Sequence, residues 1–136
     1  MAEQRAPVAA RPLSPHWQIY RWPVSMGVSI LHRVTGLGLA LGTPILAWWL
    51  VAAALGPEDY GIFQAVAYHW FGRLILFGFT LALVFHMLNG VRHLFWDAGF
   101  GFAVPTANRT AIAVYALTIV VTWIIWALAY HAMGKL

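Results

Sequence analysis

The chain has 136 residues, of which 62% are hydrophobic and only 9% are charged. A soluble domain of this length carries about 25% charged residues, so the composition indicates an integral membrane protein without a separate soluble domain. Cysteine is absent, which excludes disulfides, thiolate metal sites and cysteine nucleophiles within this chain. The net charge of +4 is not clustered as in a nucleic-acid-binding arm, and no nucleic-acid partner is expected.

The chain divides into an N-terminal arm and an apolar remainder. The first 15 residues hold three prolines and two arginines, and residues 1–23 are expected to form an extended arm on the inner membrane surface that docks a peripheral partner. No apolar core follows the charged start, so this segment does not resemble a cleavable secretory signal. Residues 24–136 are expected to form the transmembrane domain.

Three apolar runs within that domain are long enough to cross a bilayer, which takes about 20 residues. They cover about 24–55, 62–96 and 109–133. Residues 56–59 are expected to form the exit turn of the first span, and residues 97–108 form a Gly-rich loop. The predicted fold class is an all-α membrane protein with three transmembrane helices that supply half of a larger helix bundle.

Arginine distribution predicts the orientation of these helices. With three spans, the N-terminal arm and the second loop share one side, which collects six arginines: Arg5, Arg11, Arg21, Arg33, Arg92 and Arg109. The positive-inside rule therefore predicts an N-terminus in the cytoplasm, or in the matrix of a mitochondrion. The lack of a recognisable transit peptide favours the bacterial inner membrane over the mitochondrial one.

One face of the first helix suits a quinone. Trp22, Met26, Ser29 and Arg33 are spaced i, i+4, i+7 and i+11, which places them on one face with Ile30 beside them. The face offers an aromatic wall, a thioether, a hydroxyl and a fixed cation, and the last two can donate hydrogen bonds to a quinone carbonyl. The same spacing also fits an arginine that reaches lipid phosphates beside a helix-packing serine.

The second helix carries a histidine pattern that suits haem. His86 and His93 are seven residues apart and lie along one face, with His86 the deeper of the two. A neutral imidazole in apolar surroundings is a common axial ligand of haem iron. Interfacial His93 and the arginines nearer the surface, Arg33 and Arg92, would then pair with the haem propionates. A histidine that hydrogen-bonds across a helix interface is the alternative.

A six-coordinate haem needs a second axial ligand. Within this chain, His32 is expected to lie too shallow to share an iron with His86. The remaining histidines are expected at the outer ends of the spans or outside the membrane: His69, His131 and His16. The second ligand is therefore expected from another polypeptide.

Two motifs resemble those of a known family, the cytochrome b subunit of succinate dehydrogenase (complex II). The first joins residues 11–16 (RPLSPH), Ile19-Tyr20 and residues 29–36 (SILHRVTG). The second covers residues 86–97 and reads HxxNGxRHLxWD. Both occur in the family's order, and the three spans match the family's architecture along the whole chain.

The resemblance implies specific roles for residues of this chain. His86 corresponds to the family's axial ligand of one haem b, which is shared with a histidine of a second three-helix anchor subunit. The ubiquinone-binding positions are Ser29 and Arg33, lined by Trp22, Met26 and Ile30. The positions that contact the haem propionates are Arg33, His32 and His93.

The resemblance also implies partners and an activity. An iron–sulfur subunit and a flavoprotein subunit would pass electrons from succinate toward ubiquinone, while this chain anchors them in membrane lipid and has no independent catalytic activity. Two alternatives keep the architecture: a haem-less structural anchor, and the anchor of a quinol:fumarate reductase. A proton-coupled transporter fits worst, because no acidic residue lies inside any predicted span.

Overall fold

The computed structural model describes residues 21–135, which form four helices and, over that range, no strand. Helix α1 covers Val24–Leu55, α2 Pro57–Tyr68, α3 Trp70–Asp97 and α4 Val104–Ala132. Helices α1, α3 and α4 are long and apolar enough to cross a membrane. The predicted fold class, all-α with three spans, is therefore confirmed. Most of the expected N-terminal arm and the first part of the first motif lie outside the described residues.

Helix α1 continues through a proline because a neighbouring side chain replaces the missing hydrogen bond. Pro44 has no N–H to donate to the Ala40 carbonyl one turn earlier. The Thr43 hydroxyl donates to that carbonyl at 2.7 Å. Side chains commonly satisfy freed backbone groups in this way within membranes, and α1 stays continuous for 32 residues. It ends at Leu55, and the next residue, Gly56, has a φ of 126°, which favours glycine.

The second apolar run differs from the single span expected over 62–96. It is divided at His69, which has extended backbone angles and caps α3, since its Nδ1 accepts a hydrogen bond from the Phe71 N–H at 3.4 Å. The expected exit turn is also shorter, because Pro57 begins α2 and the acidic pair Glu58 and Asp59 occupies the first turn of that helix. Proline and carboxylates are both favourable at a helix N-terminus. Only α3 therefore qualifies as the second span.

The third span begins earlier than the expected position 109. Helix α4 starts at Val104, and Pro105 lies in its first turn, where a missing N–H does no harm. The connecting loop is correspondingly short. It turns at Gly99 and Gly101, whose φ values of 89° and 85° fall in the region that favours glycine.

The three spans pack around a small core, with α3 antiparallel to both α1 and α4. Buried Val28, Phe85, Ala111 and Val114 form that core, one side chain from α1, one from α3 and two from α4. Gly42 of α1 admits the ring of Phe79 of α3, because a Cβ at position 42 would overlap that ring. Most large apolar side chains face outward, as expected for surfaces that contact lipid or other subunits.

The bundle has two distinct ends. We call one the histidine end; it contains the first turns of α1 and α4 and the last turns of α3. At the opposite end, α2 packs against the second half of α1, where Phe63 meets the ring of Trp48 edge-on with centroids 5.0 Å apart. Helix α2 also supports the first turns of α3, since a Cβ on Gly72 would overlap the Val66 carbonyl.

Candidate functional site

Three histidines from two helices form a stack at the histidine end. His32 of α1 lies between His86 and His93 of α3, with ring centroids 4.0 Å from His86 and 5.2 Å from His93. The interplanar angles are 17° and 27°, so the rings lie face to face. The seven-residue spacing of His86 and His93 puts both on the face of α3 that meets α1.

This stack corrects the expected depth of His32. The antiparallel packing of α1 and α3 brings His32 level with the segment between His86 and His93, so it is not too shallow to reach His86. The two rings are nonetheless in direct stacking contact, at a centroid distance of 4.0 Å. Because the rings are in contact, a haem would find no space between them, so His32 and His86 would not both hold its iron.

The orientation of His86 is set by acceptors on α1. Its Nδ1 lies 3.2 Å from the His32 carbonyl oxygen and 3.4 Å from Oγ1 of Thr35. A backbone carbonyl can only accept, and the Thr35 hydroxyl donates to the Leu31 carbonyl at 2.8 Å. These partners assign the proton of a neutral His86 ring to Nδ1, which leaves the lone pair on Nε2. The hydrogen bond across a helix interface, raised above as the alternative for His86, is therefore present at Nδ1, and Nε2 stays available.

Small residues and an unpartnered nitrogen surround this imidazole. A Cβ on Gly36 would come 3.0 Å from Cε1 of His86, so glycine allows the ring to lie against α1. A Cβ on Gly90 would meet nothing within 4 Å, so that side of α3 is open. Nε2 of His32 is buried without a hydrogen-bond partner among the described residues. His86 itself, as a neutral imidazole with a free Nε2 and open space beside Gly90, fits the chemistry of a haem axial ligand.

The expected quinone face forms an outward-facing stripe that adjoins the histidine stack. Trp22 is 57% exposed, Met26 and Ile30 are also exposed, and Ser29 is half-buried one turn before His32. Arg33 is exposed and makes no hydrogen bond or ion pair with any residue in the range 21–135. The stripe is therefore a largely exposed surface of this chain beside the histidine stack.

Arg92 does not join this group, contrary to the expectation that it faces the propionate region. It is only 6% exposed, and its guanidinium points between α3 and α4. It donates to Oγ1 of Thr110 at 3.0 Å, to the Ala107 carbonyl at 3.0 Å and to Oδ1 of Asn89 at 3.3 Å. It also lies 4.0 Å from the ring centroid of Trp96.

The reason for this direction is helical spacing. Asn89 and Arg92 are three residues apart and share the α4-facing side of α3, whereas His93, the next residue, faces α1. Trp96 connects the two sides: its ring meets His93 edge-on at 5.1 Å, and its Nε1 donates to the Gly101 carbonyl at 3.3 Å. Sequence reasoning missed Thr35 and Thr110, although Thr35 lies inside the first motif.

Comparisons with known proteins agree with the motifs. Residues 8–125 match the family described as the succinate dehydrogenase/fumarate reductase transmembrane subunit. The chain is 43% identical over 110 residues to the succinate dehydrogenase cytochrome b556 subunit of Paracoccus denitrificans, covering 81% of this chain and 85% of that protein. It is 40% identical over 116 residues to the cytochrome b556 subunit of Rickettsia felis, covering 85% and 90%.

A mitochondrial relative is also similar. The succinate dehydrogenase cytochrome b560 subunit of Sus scrofa is 36% identical over 114 residues, which cover 80% of this chain and 66% of that protein. Family match, identity and coverage agree with the three spans and with the order of the two motifs. The chain belongs to the succinate dehydrogenase/fumarate reductase transmembrane subunits and is a membrane-anchor subunit of the succinate dehydrogenase cytochrome b type.

Proposed function

We propose that this chain binds haem b through His86, contributes one wall of the ubiquinone-reduction site, and tethers the peripheral subunits of succinate dehydrogenase to the membrane. The observation that carries the haem assignment is the geometry of His86. Its Nδ1 faces the His32 carbonyl at 3.2 Å, which orients the ring and leaves Nε2 free for a metal. The relatives named as cytochrome b556 and b560 subunits support the same assignment.

His86 acts as ligand and α1 acts as its support. The His32 carbonyl and the Thr35 hydroxyl hold the ring orientation, and a hydrogen bond at Nδ1 makes Nε2 a better donor to a metal. When bound, haem supplies a one-electron carrier within the membrane. The second axial ligand is assigned to a histidine of a second three-helix anchor subunit, because stacking removes His32 as a candidate.

The haem propionates are assigned to Arg33, His32 and His93. His32 stacks directly on His86, His93 follows as the third ring of the stack, and Arg33 follows His32 in sequence. The unpartnered, buried Nε2 of His32 is an available donor. A guanidinium at this exposed position can pair with a carboxylate in two parallel hydrogen bonds.

Ubiquinone is assigned to the stripe of Ser29 and Arg33, lined by Trp22, Met26 and Ile30. The Ser29 hydroxyl and the Arg33 guanidinium donate hydrogen bonds to one quinone carbonyl and stabilise the negative charge that develops on its oxygen during reduction. The exposure of the stripe supports a site completed by the second anchor subunit and the iron–sulfur subunit. The iron–sulfur and flavoprotein subunits deliver the electrons of succinate.

The bacterial relatives and the arginine-rich histidine end support a location in the bacterial inner membrane with the N-terminus in the cytoplasm. The family also includes anchors of fumarate reductase. The relatives are named as succinate dehydrogenase subunits, which favours the direction of succinate oxidation.

The test is a dithionite-reduced minus oxidised absorption spectrum of the assembled complex. The wild type is expected to show a b-type α band, and His86→Ala is expected to lose it because the iron loses an axial ligand. His131→Ala is the matched control: His131 is exposed at the opposite end of the bundle, and the band should remain. An assembled wild-type complex without the band would favour the haem-less structural anchor instead.

A further inference from the structure

A second charged and aromatic feature lies at the end of the bundle opposite the histidines. A groove between α3 and α4 encloses 790 Å³ and is lined by, among others, Trp70, Arg73, Phe77, Trp123, Trp126 and Tyr130. Phe77 packs against Trp123 and Trp126 with ring centroids 5.7 and 5.3 Å apart, so the groove has an aromatic floor. The proposed haem and quinone sites use none of these residues.

Arg73 belongs to this groove and also to a second one. A cavity of 610 Å³ opens on the side of α3 that faces α1 and α2, and it shares Arg73, Trp126 and Tyr130 with the first. Lys135 also lines the second cavity, with its Nζ 5.2 Å from the ring centroid of Tyr68. Two cations, half-buried Arg73 and exposed Lys135, therefore line this cavity.

The charge of Arg73 has no counter-charge in the part of the chain that the structure describes. Within residues 21–135, no acidic side chain lines either cavity. The half-buried Arg73 side chain makes no hydrogen bond or ion pair with residues 21–135. The acidic residues Glu58 and Asp59 lie in the first turn of α2, whereas Arg73 follows the other end of that helix. A cation in a membrane-spanning helix normally pairs or reaches the interface, so an external anion is expected here.

The depth of Arg73 is that of a lipid headgroup. It is the fourth residue of α3, which begins at Trp70. Trp70 is 69% exposed, and Tyr130 lies in the last turn of α4 at the same level. Tryptophan and tyrosine are enriched where a bilayer changes from hydrocarbon to headgroups.

We propose that Arg73 binds the phosphodiester of a phospholipid whose acyl chain lies in the aromatic groove between α3 and α4. A phospholipid supplies both features that the groove requires, an anion at the interface and flexible hydrocarbon that fills an irregular apolar channel. Lys135 adds a second cation near the same headgroup level. A carboxylate from a neighbouring subunit would neutralise the charge of Arg73 but would leave the aromatic side chains of the groove uncovered.

The test is native mass spectrometry of the whole complex after delipidation and titration with phosphatidylglycerol. Arg73→Gln is expected to weaken retention of one lipid about five-fold, the usual contribution of one basic residue near anionic headgroups. Arg109→Gln, which alters an exposed arginine at the histidine end, is the control and should retain the lipid like the wild type. Added inorganic phosphate should not displace the lipid, because it cannot occupy the groove.

A second comparison needs only the wild-type complex, so it remains decisive if Arg73→Gln does not assemble. Phosphatidylglycerol should be retained in preference to monogalactosyldiacylglycerol, which has similar chains and no phosphate. Equal retention of the two lipids, or equal lipid retention by wild type and Arg73→Gln, would overturn the proposal. Loss of a partner subunit from Arg73→Gln with lipid retention unchanged would assign Arg73 to a protein interface and overturn it as well.

Discussion

Arg33→Leu is expected to lower succinate–ubiquinone reductase activity of the assembled complex by about 100-fold or more, the usual effect of removing a donor to a developing oxyanion. Arg33 is the only cation of the stripe formed with Ser29, and no residue in the range 21–135 engages its side chain. Leucine keeps the apolar stem and removes the donors. Reduction of an artificial dye by succinate should persist, because that reaction needs only the peripheral subunits.

The matched control for this experiment is Arg109→Leu. Arg109 is also exposed at the histidine end, but it lies in α4 and outside the stripe. Its replacement should leave both quinone and dye reduction within about two-fold of the wild type, the range of a neutral surface change. Retention of full quinone reduction by Arg33→Leu would remove Arg33 from the site. Loss of dye reduction together with quinone reduction would instead indicate failed assembly.

Arg92→Met is expected to lower the free energy of unfolding of the membrane domain by about 2–3 kcal/mol, because a buried polar group loses its charged partner. Asn89 is fully buried, its Nδ2 already lacks a partner among the described residues, and Arg92 is the donor to its Oδ1. The Ala107 carbonyl keeps a hydrogen bond from Thr110 at 3.1 Å, so the main penalty falls on Asn89.

The measurement for Arg92 is unfolding of the purified complex in mixed micelles of increasing sodium dodecyl sulfate content. Arg109→Met provides the same chemical change at an exposed arginine and should alter the free energy of unfolding by less than about 0.5 kcal/mol. Equal effects of the two substitutions would show that the contacts between Arg92 and α4 contribute nothing to stability. The free energy of unfolding is therefore expected to be well below the wild-type value for Arg92→Met and close to it for Arg109→Met.

The lengths of the apolar runs predict the three membrane-spanning helices. Where these helices begin and end depends also on local capping and turn residues. The first span was expected over 24–55, and α1 covers Val24–Leu55, because no charge interrupts the run after Arg33 and Gly56 follows it. Hydropathy could not place the break at His69, since both flanking segments are apolar. That break comes from the cap by His69 and the close approach of Gly72 to the Val66 carbonyl.

The candidate site was predictable as a set of residues but not as an arrangement. Spacing put His86 and His93 on one face, and the structure agrees. Whether His32 reaches that face depends on the register between α1 and α3, which no pattern within one helix reveals. Packing between helices also decides the direction of Arg92, which the sequence pattern assigned to the haem propionates. Only the position of α4, with Thr110 and Ala107, shows that this guanidinium lies on the other side of α3.

Near-infrared magnetic circular dichroism of the oxidised complex tests the role of His86 most directly, because the position of the charge-transfer band identifies the pair of axial ligands. The wild-type band is expected at the position typical of two imidazoles. His86→Met, which offers a thioether in place of Nε2, is expected to move the band to the position of an imidazole–thioether pair or to abolish it. A wild-type band typical of any other ligand pair, or a band unchanged by His86→Met, would contradict ligation by His86.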